Sequence, residues 1–88
     1  MAWKIEFTAT AKKQLERLPP TLSHRLVIWL KDRILTTHNP RLWGEPLRGH
    51  LKHQWRYRVG DYRILCEIQD SLVTVRVVTI GHRREVYR

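Results

Sequence analysis

The chain of 88 residues has one cysteine, Cys66, so no intrachain disulfide can form and a reducing compartment fits it. It has no apolar run of transmembrane length, and its opening, MAWKIEF, does not resemble a signal peptide. A cytoplasmic protein that keeps away from membranes is the expectation. Repeats, linkers and low-complexity stretches are missing too. At this length the chain can build only one modest core, so a single domain over residues 1–88 is expected. Acid is the scarcest class: eight Asp and Glu stand against seventeen Lys and Arg, a formal net charge of +9.

Hydrophobic residues nevertheless make up 42% of the chain and include four tryptophans, which excludes a disordered basic tail. A folded domain with this charge excess sets up a field that recruits polyanions: nucleic acid, an acidic protein or an anionic surface. Twelve of the seventeen cations are arginine. Arginine grips phosphate through a planar fork of donors where lysine acts as a point charge, so the bias leans towards specific phosphate contacts.

Residues 2–8 alternate Trp3, Ile5 and Phe7 with Lys4 and Glu6 and read as a half-buried strand. TATAKKQLERL carries Ala11, Leu15 and Leu18 at helical spacing and stops against Pro19-Pro20. From Thr21 to Leu35 the apolar set Leu22, Leu26, Val27, Trp29, Leu30 and Ile34 covers a wide face, which suits a second helix lying across a sheet. TTHNPRLWGEP, with two prolines and a glycine, reads as loop. The expected architecture is α+β: a small antiparallel sheet with an N-terminal strand and a two-helix hairpin packed on one face.

QWRYRV and YRILCEIQ flank Gly60-Asp61, a pair suited to a two-residue hairpin turn. That turn sets Val59 opposite Tyr62, Arg58 opposite Arg63, Tyr57 opposite Ile64 and Arg56 opposite Leu65. A second tight turn at Asp70-Ser71 would set Ile68 opposite Val73 and Leu65 opposite Arg76. One face then collects Trp55, Tyr57, Val59, Tyr62, Ile64, Cys66, Ile68, Val73, Val75 and Val77, which is the core side. The other gathers Arg56, Arg58, Arg63 and Arg76 with Glu67 for balance, and continuing at period two through Val78 and Ile80 brings His82 onto it. Like charges directly opposite are destabilising by a few tenths to about 1 kcal/mol. An anion would relieve the penalty.

EPLRG at 45–49, WRYRVGDYRI at 55–64 and the closing GHRREVYR at 81–88 follow a strand and a helix pair in a short basic chain. In that combination the sequence resembles the RelE/ParE superfamily of toxins of type II toxin-antitoxin systems, closest to its RelE-like branch. The resemblance runs over essentially the whole chain. It implies a microbial ribonuclease-like domain that cuts messenger RNA, usually on the ribosome, without a cofactor or metal. It also implies a cognate antitoxin as partner, with operator DNA reached only through the antitoxin complex. Carried over position by position, Arg63 matches the arginine of the "YR" strand, Arg56 and Arg58 the basic residues of the strand before it, and Arg83 and Tyr87 the C-terminal arginine and tyrosine. Arg48, Lys52, Arg76 and Arg84 are expected as further RNA contacts.

Cleavage through the 2′-hydroxyl leaves a cyclic phosphate, and it needs a base, an acid and fixed positive charge around the transition state. Arginine supplies charge but stays protonated, so the proton must move elsewhere. Histidine is the residue type suited to moving a proton near neutral pH, and His82 is expected on the basic face. Glu45 is the second candidate, because one branch of the superfamily has a general-base glutamate before a Pro-Leu pair; its alternative is an ion pair with Arg48 or Arg41. His50 and His53 lack further ligands for a metal site. Trp43, in the expected loop, is the tryptophan available for RNA or partner contact. Two other classes stand beside the ribonuclease: a gyrase-directed toxin of the ParE side, and a basic binding module without catalysis.

Overall fold

The computed structural model describes residues 2–87. Strand β1 (Lys4–Phe7) leads into helices α1 (Ala9–Arg17) and α2 (Pro20–Ile34), followed by the short β2 (Glu45–Pro46), then β3 (Trp55–Val59), β4 (Tyr62–Gln69) and β5 (Thr74–His82). The five strands form one sheet in the order β1-β5-β4-β3-β2. β1 pairs with β5 in parallel and every other pair is antiparallel, so the α+β expectation holds with one parallel edge.

Local chemistry sets the element ends. Thr8 caps α1, its side-chain oxygen accepting from the Ala11 N–H at 3.1 Å, as short hydroxyl residues do at helix starts. Pro20 opens α2, where its missing N–H and fixed φ do no harm. Both helices lie on the same face: Ala11, Leu26, Leu30 and Ile34 are buried in one cluster with Trp3, Tyr57, Val59, Ile64, Cys66, Val75, Val77 and Ile80. Tyr57 is fully enclosed, with its ring 5.3 Å from that of Trp29 and its hydroxyl donating to the Pro40 carbonyl at 2.7 Å. No described helix is long and apolar enough to cross a membrane.

The first hairpin has the expected register in every pair, and Gly60 takes φ +58° in the turn, a conformation open to glycine. The second hairpin departs from expectation. Its turn is a 3-10 segment, Asp70–Leu72, closed by Val73 at φ +49°, a strained setting for a β-branched residue. Two more residues are consumed in the turn, so Ile68 faces Val75, not Val73, and Arg76 faces Glu67, not Leu65. Cys66 pairs with Val77 but Leu65 with Thr79, which leaves Val78 as an extra residue in β5, a bulge. Beyond it the alternation is inverted: Ile80 faces Ile64, Gly81 faces Arg63 and His82 faces Tyr62. Helix α1 and its cap secure the bulge, the Thr8 hydroxyl donating to the Val78 carbonyl at 2.9 Å and the Gln14 side-chain oxygen accepting from the Ile80 N–H at 2.6 Å.

The stretch expected to be loop holds β2, which pairs Glu45 with Arg56 and Pro46 with Trp55. A bidentate ion pair from Arg41 to Asp70, both contacts at 2.9 Å, ties this segment to the second hairpin turn.

Candidate active site

On the face away from the helices, β3 and β4 present Arg56, Arg58 and Arg63. Glu45 is brought to them by a close approach of the backbone. Gly44 has φ +78°, and a Cβ there would run into the Arg56 carbonyl oxygen, so only glycine lets β2 lie against β3 at this point. The Glu45 carboxylate oxygen Oε1 accepts from Arg56 and, at 2.9 Å, from Arg58. The like-charge face thus finds an anion within the chain, and Glu45 pairs with these arginines instead of Arg48 or Arg41.

Arg56 is the centre of the cluster. Besides Glu45 it reaches the Tyr87 hydroxyl, which accepts from it at 2.7 Å. Its Nε is buried with no hydrogen-bond partner among the described residues, so the guanidinium is held in place at a desolvation cost. Arg63 curls back to the turn, one nitrogen donating to the carbonyls of Gly60 and Tyr62 at 2.9 Å each. Burial, and then the charge of Arg58, hold its guanidinium below its ordinary value, with Arg56 and Arg83 acting in the same sense and Tyr87 opposing. Arg56, Arg58, Arg63, Arg83 and Tyr87 therefore share one electrostatic neighbourhood, with Glu45 among them.

The tail completes this group by folding back over the sheet. The Arg83 N–H donates to the Asp61 carbonyl at 2.8 Å, and its guanidinium lies 3.9 Å from the Asp61 carboxylate. The Glu85 and Val86 N–H groups both donate to the His82 carbonyl, closing a turn. Val86 is buried over Gly81, where a Cβ would stand 3.4 Å from that of Val86. Arg88, the last of the tail arginines, lies outside the described residues.

Several expected residues stand elsewhere. The bulge turns His82 onto the helix face, its ring edge-on to Tyr62 at 5.7 Å, beside a groove of about 330 Å³ that Gln14, Arg17 and Leu18 of α1 help to line. The expectation that period two would carry His82 onto the arginine face fails because β5 has one residue too many. Arg76 pairs with Glu67 at 2.9 Å, four residues or about 13 Å along β4 from the level of Arg63. Arg48 and Lys52 belong to the connection beyond the far end of β3, and Lys52 borders a small groove with Arg41, His53 and Ile68. Arg84 is exposed on the tail. Trp43 packs against the core, and its carbonyl accepts from the Trp55 indole N–H at 2.7 Å. No group of three or more His, Cys, Asp or Glu among the described residues could hold a metal ion.

Three residues on which this arrangement depends were not among the expected site residues: Gly44, Asp61 and Gln14. A glycine directly before EPLRG is a signal that could have marked a close approach of the backbone, whereas nothing local marks Gln14.

A family model described as the ParE toxin of type II toxin-antitoxin system, parDE, matches residues 5–87. Toxin RelG of Mycobacterium tuberculosis is 33% identical over 88 residues, covering 100% of this chain and 99% of the relative. The mRNA interferase toxin RelE of Escherichia coli is 29% identical over 90 residues, covering 99% and 92%. Among solved structures, the RelBE2 toxin-antitoxin complex from Mycobacterium tuberculosis matches with a TM-score of 0.79 at 30% identity, covering 97% of this chain and 95% of that chain. With the family model spanning all but the ends, and a relative a third identical over the full length, the chain belongs to the RelE/ParE superfamily and is a toxin of a type II toxin-antitoxin system, of the RelE family.

Proposed function

We propose that the chain is an endoribonuclease that cuts messenger RNA by attack of the 2′-hydroxyl on the adjacent phosphate. The observation that carries this is the convergence of Arg56, Arg58, Arg63 and Arg83 around one carboxylate and one tyrosine on the uncovered sheet face. The arginines bind the phosphate and stabilise the charge that grows on its oxygens, the largest single contribution such a site can make. Glu45, the carboxylate within the cluster, takes the 2′-proton. The bond from the 2′-oxygen to phosphorus forms as the bond to the 5′-oxygen breaks, leaving a cyclic phosphate, and the 5′-oxygen takes its proton from Tyr87 or solvent. A base stacks on the Tyr87 ring. The E. coli relative named as an mRNA interferase supports the reaction class, and relatives solved with their antitoxins support a cognate antitoxin as partner. A formal charge of +9 suits an acidic antitoxin segment and the ribosome as a working surface.

The test is induction in a bacterial host, with mapping of messenger RNA ends, beside the Arg56→Ala variant. Wild type should produce cuts ending in cyclic phosphate, and Arg56→Ala should lower cleavage by about 10²- to 10³-fold with little change in melting temperature. The family model carries the ParE name; DNA damage without RNA cuts would move the chain to that side of the superfamily and set the ribonuclease reading aside.

A further inference from the structure

His82 is the one expected proton-transfer group that the fold places away from the arginines, and its contacts point to a different use. Its backbone carbonyl accepts from the N–H groups of Glu85 and Val86, at 2.8 and 3.0 Å. Its imidazole Nδ1 accepts from the Arg84 N–H at 3.2 Å. A side-chain acceptor on the residue before a turn, taking the N–H two residues on while the same residue's carbonyl takes the next N–H groups, is the bonding pattern of a helix N-cap. The turn it closes carries both tail groups of the candidate site: Arg83, tethered to Asp61, and Tyr87, bonded to Arg56.

We propose that His82 caps the C-terminal turn and is a positioning residue for Arg83 and Tyr87, acting through the backbone from the opposite side of the sheet. The capping role stands on geometry alone; its effect on cleavage rests on the endoribonuclease reading. As a cap, the imidazole must keep Nδ1 free of a proton to accept from Arg84, so the proton of the neutral ring sits on Nε2. A general acid makes the opposite demand, since it works as the imidazolium, with protons on both nitrogens and no acceptor left for Arg84. The ring is held for the first task, packed edge-on to Tyr62 where β4 and β5 pair.

The experiment compares His82→Asn with His82→Ala in RNA cleavage, and follows amide hydrogen exchange at Glu85 and Val86 in the same proteins. Asparagine offers an acceptor at nearly the place of Nδ1 and is among the preferred caps, yet it cannot transfer a proton in this range. His82→Asn should cleave within about threefold of wild type and keep both amides protected; His82→Ala should lose about two- to thirtyfold, as one lost cap allows, with both amides exchanging faster. Nitrogen chemical shifts of the wild-type ring, which need no variant to fold, should report Nε2 protonated and Nδ1 bare. A fall of about 10²-fold or more in His82→Asn with protected amides would restore a proton-transfer role and overturn the proposal. So would unchanged protection in His82→Ala, or a proton on Nδ1 of the neutral ring. Should wild type cut no RNA, the function reading fails while the exchange and shift measurements still decide the cap.

Discussion

Tyr57 and Arg56 are neighbours on β3, yet the sheet treats them in opposite ways. Tyr57 is sealed under the helices with a ring contact to Trp29 and its hydroxyl satisfied by Pro40; burial pushes its phenol above the usual range. Arg56, one residue earlier, is held by groups that the chain brings from two distant places, Glu45 on the edge strand and Tyr87 at the tail. The helix face draws on dense apolar packing. The arginine face is shaped by a few polar contacts on thin supports. Stability should therefore reside on the first face and activity on the second, with little exchange between them.

The largest effect should come from breaking the helix face. Leu30 is 1% exposed in the core cluster, so Leu30→Ala should destabilise by about 2–5 kcal/mol, a large part of what so small a domain has. Denaturant titration measures it, and cleavage at temperatures where the variant stays folded should match wild type. A variant folded as stably as wild type would mean that α2 is not the lid of the core.

Gly44→Ala sharpens the comparison, because it strikes the arginine face through the backbone. Its positive φ and the Arg56 carbonyl leave no room for a methyl group, so β2 must shift and take Glu45 off Arg56 and Arg58. The expected cost is about 1–2 kcal/mol in stability, with cleavage lowered by about 10²-fold or more, as for the loss of a general base. An active Gly44→Ala protein would show that the carboxylate need not sit where β2 holds it.

The smallest effect concerns the tie between the segment before β2 and the second hairpin turn. The hydrogen bond from Arg41 holds the Asp70 carboxyl below its ordinary value. A carboxylate depressed in the folded state contributes stability above its unfolded value, and that contribution is lost as pH falls through the folded one. Because both side chains are exposed the contribution is small. An NMR titration of Asp70 should place its midpoint below that of a free aspartate, and Arg41→Ala should bring it back.

The faces differed also in how far they could be read from the sequence. Gly60-Asp61 fixed the first hairpin, because a glycine-first two-residue turn leaves one register, and Arg58 opposite Arg63 followed from it. The second turn hid its length, since Val73 takes a backbone conformation that its residue type disfavours. The bulge was hidden more deeply: Thr8 and Gln14, which hold it, are 70 and 66 residues away from their partners, and no window of neighbouring residues contains them. β2 escaped because two residues between a glycine and a leucine show no alternation, although the glycine that makes it possible was visible. That arginines, a tyrosine and a glutamate would come together was legible; the side of the sheet on which His82 would emerge was not.

That last point gives the extra residue at Val78 a meaning beyond its local geometry. A strand has a parity, odd positions to one side and even to the other, and one added residue exchanges the two for everything downstream. Were Val78 paired with Leu65 and no residue left over, Thr79 would face Ile64 in the core, Ile80 would face Arg63 and leave it, and His82 would emerge on the arginine face, so the tail would depart from the other side of the sheet. The pairing of β5, as much as its composition, thus sets where the tail goes, and that pairing is held from outside the strand by Thr8 and Gln14.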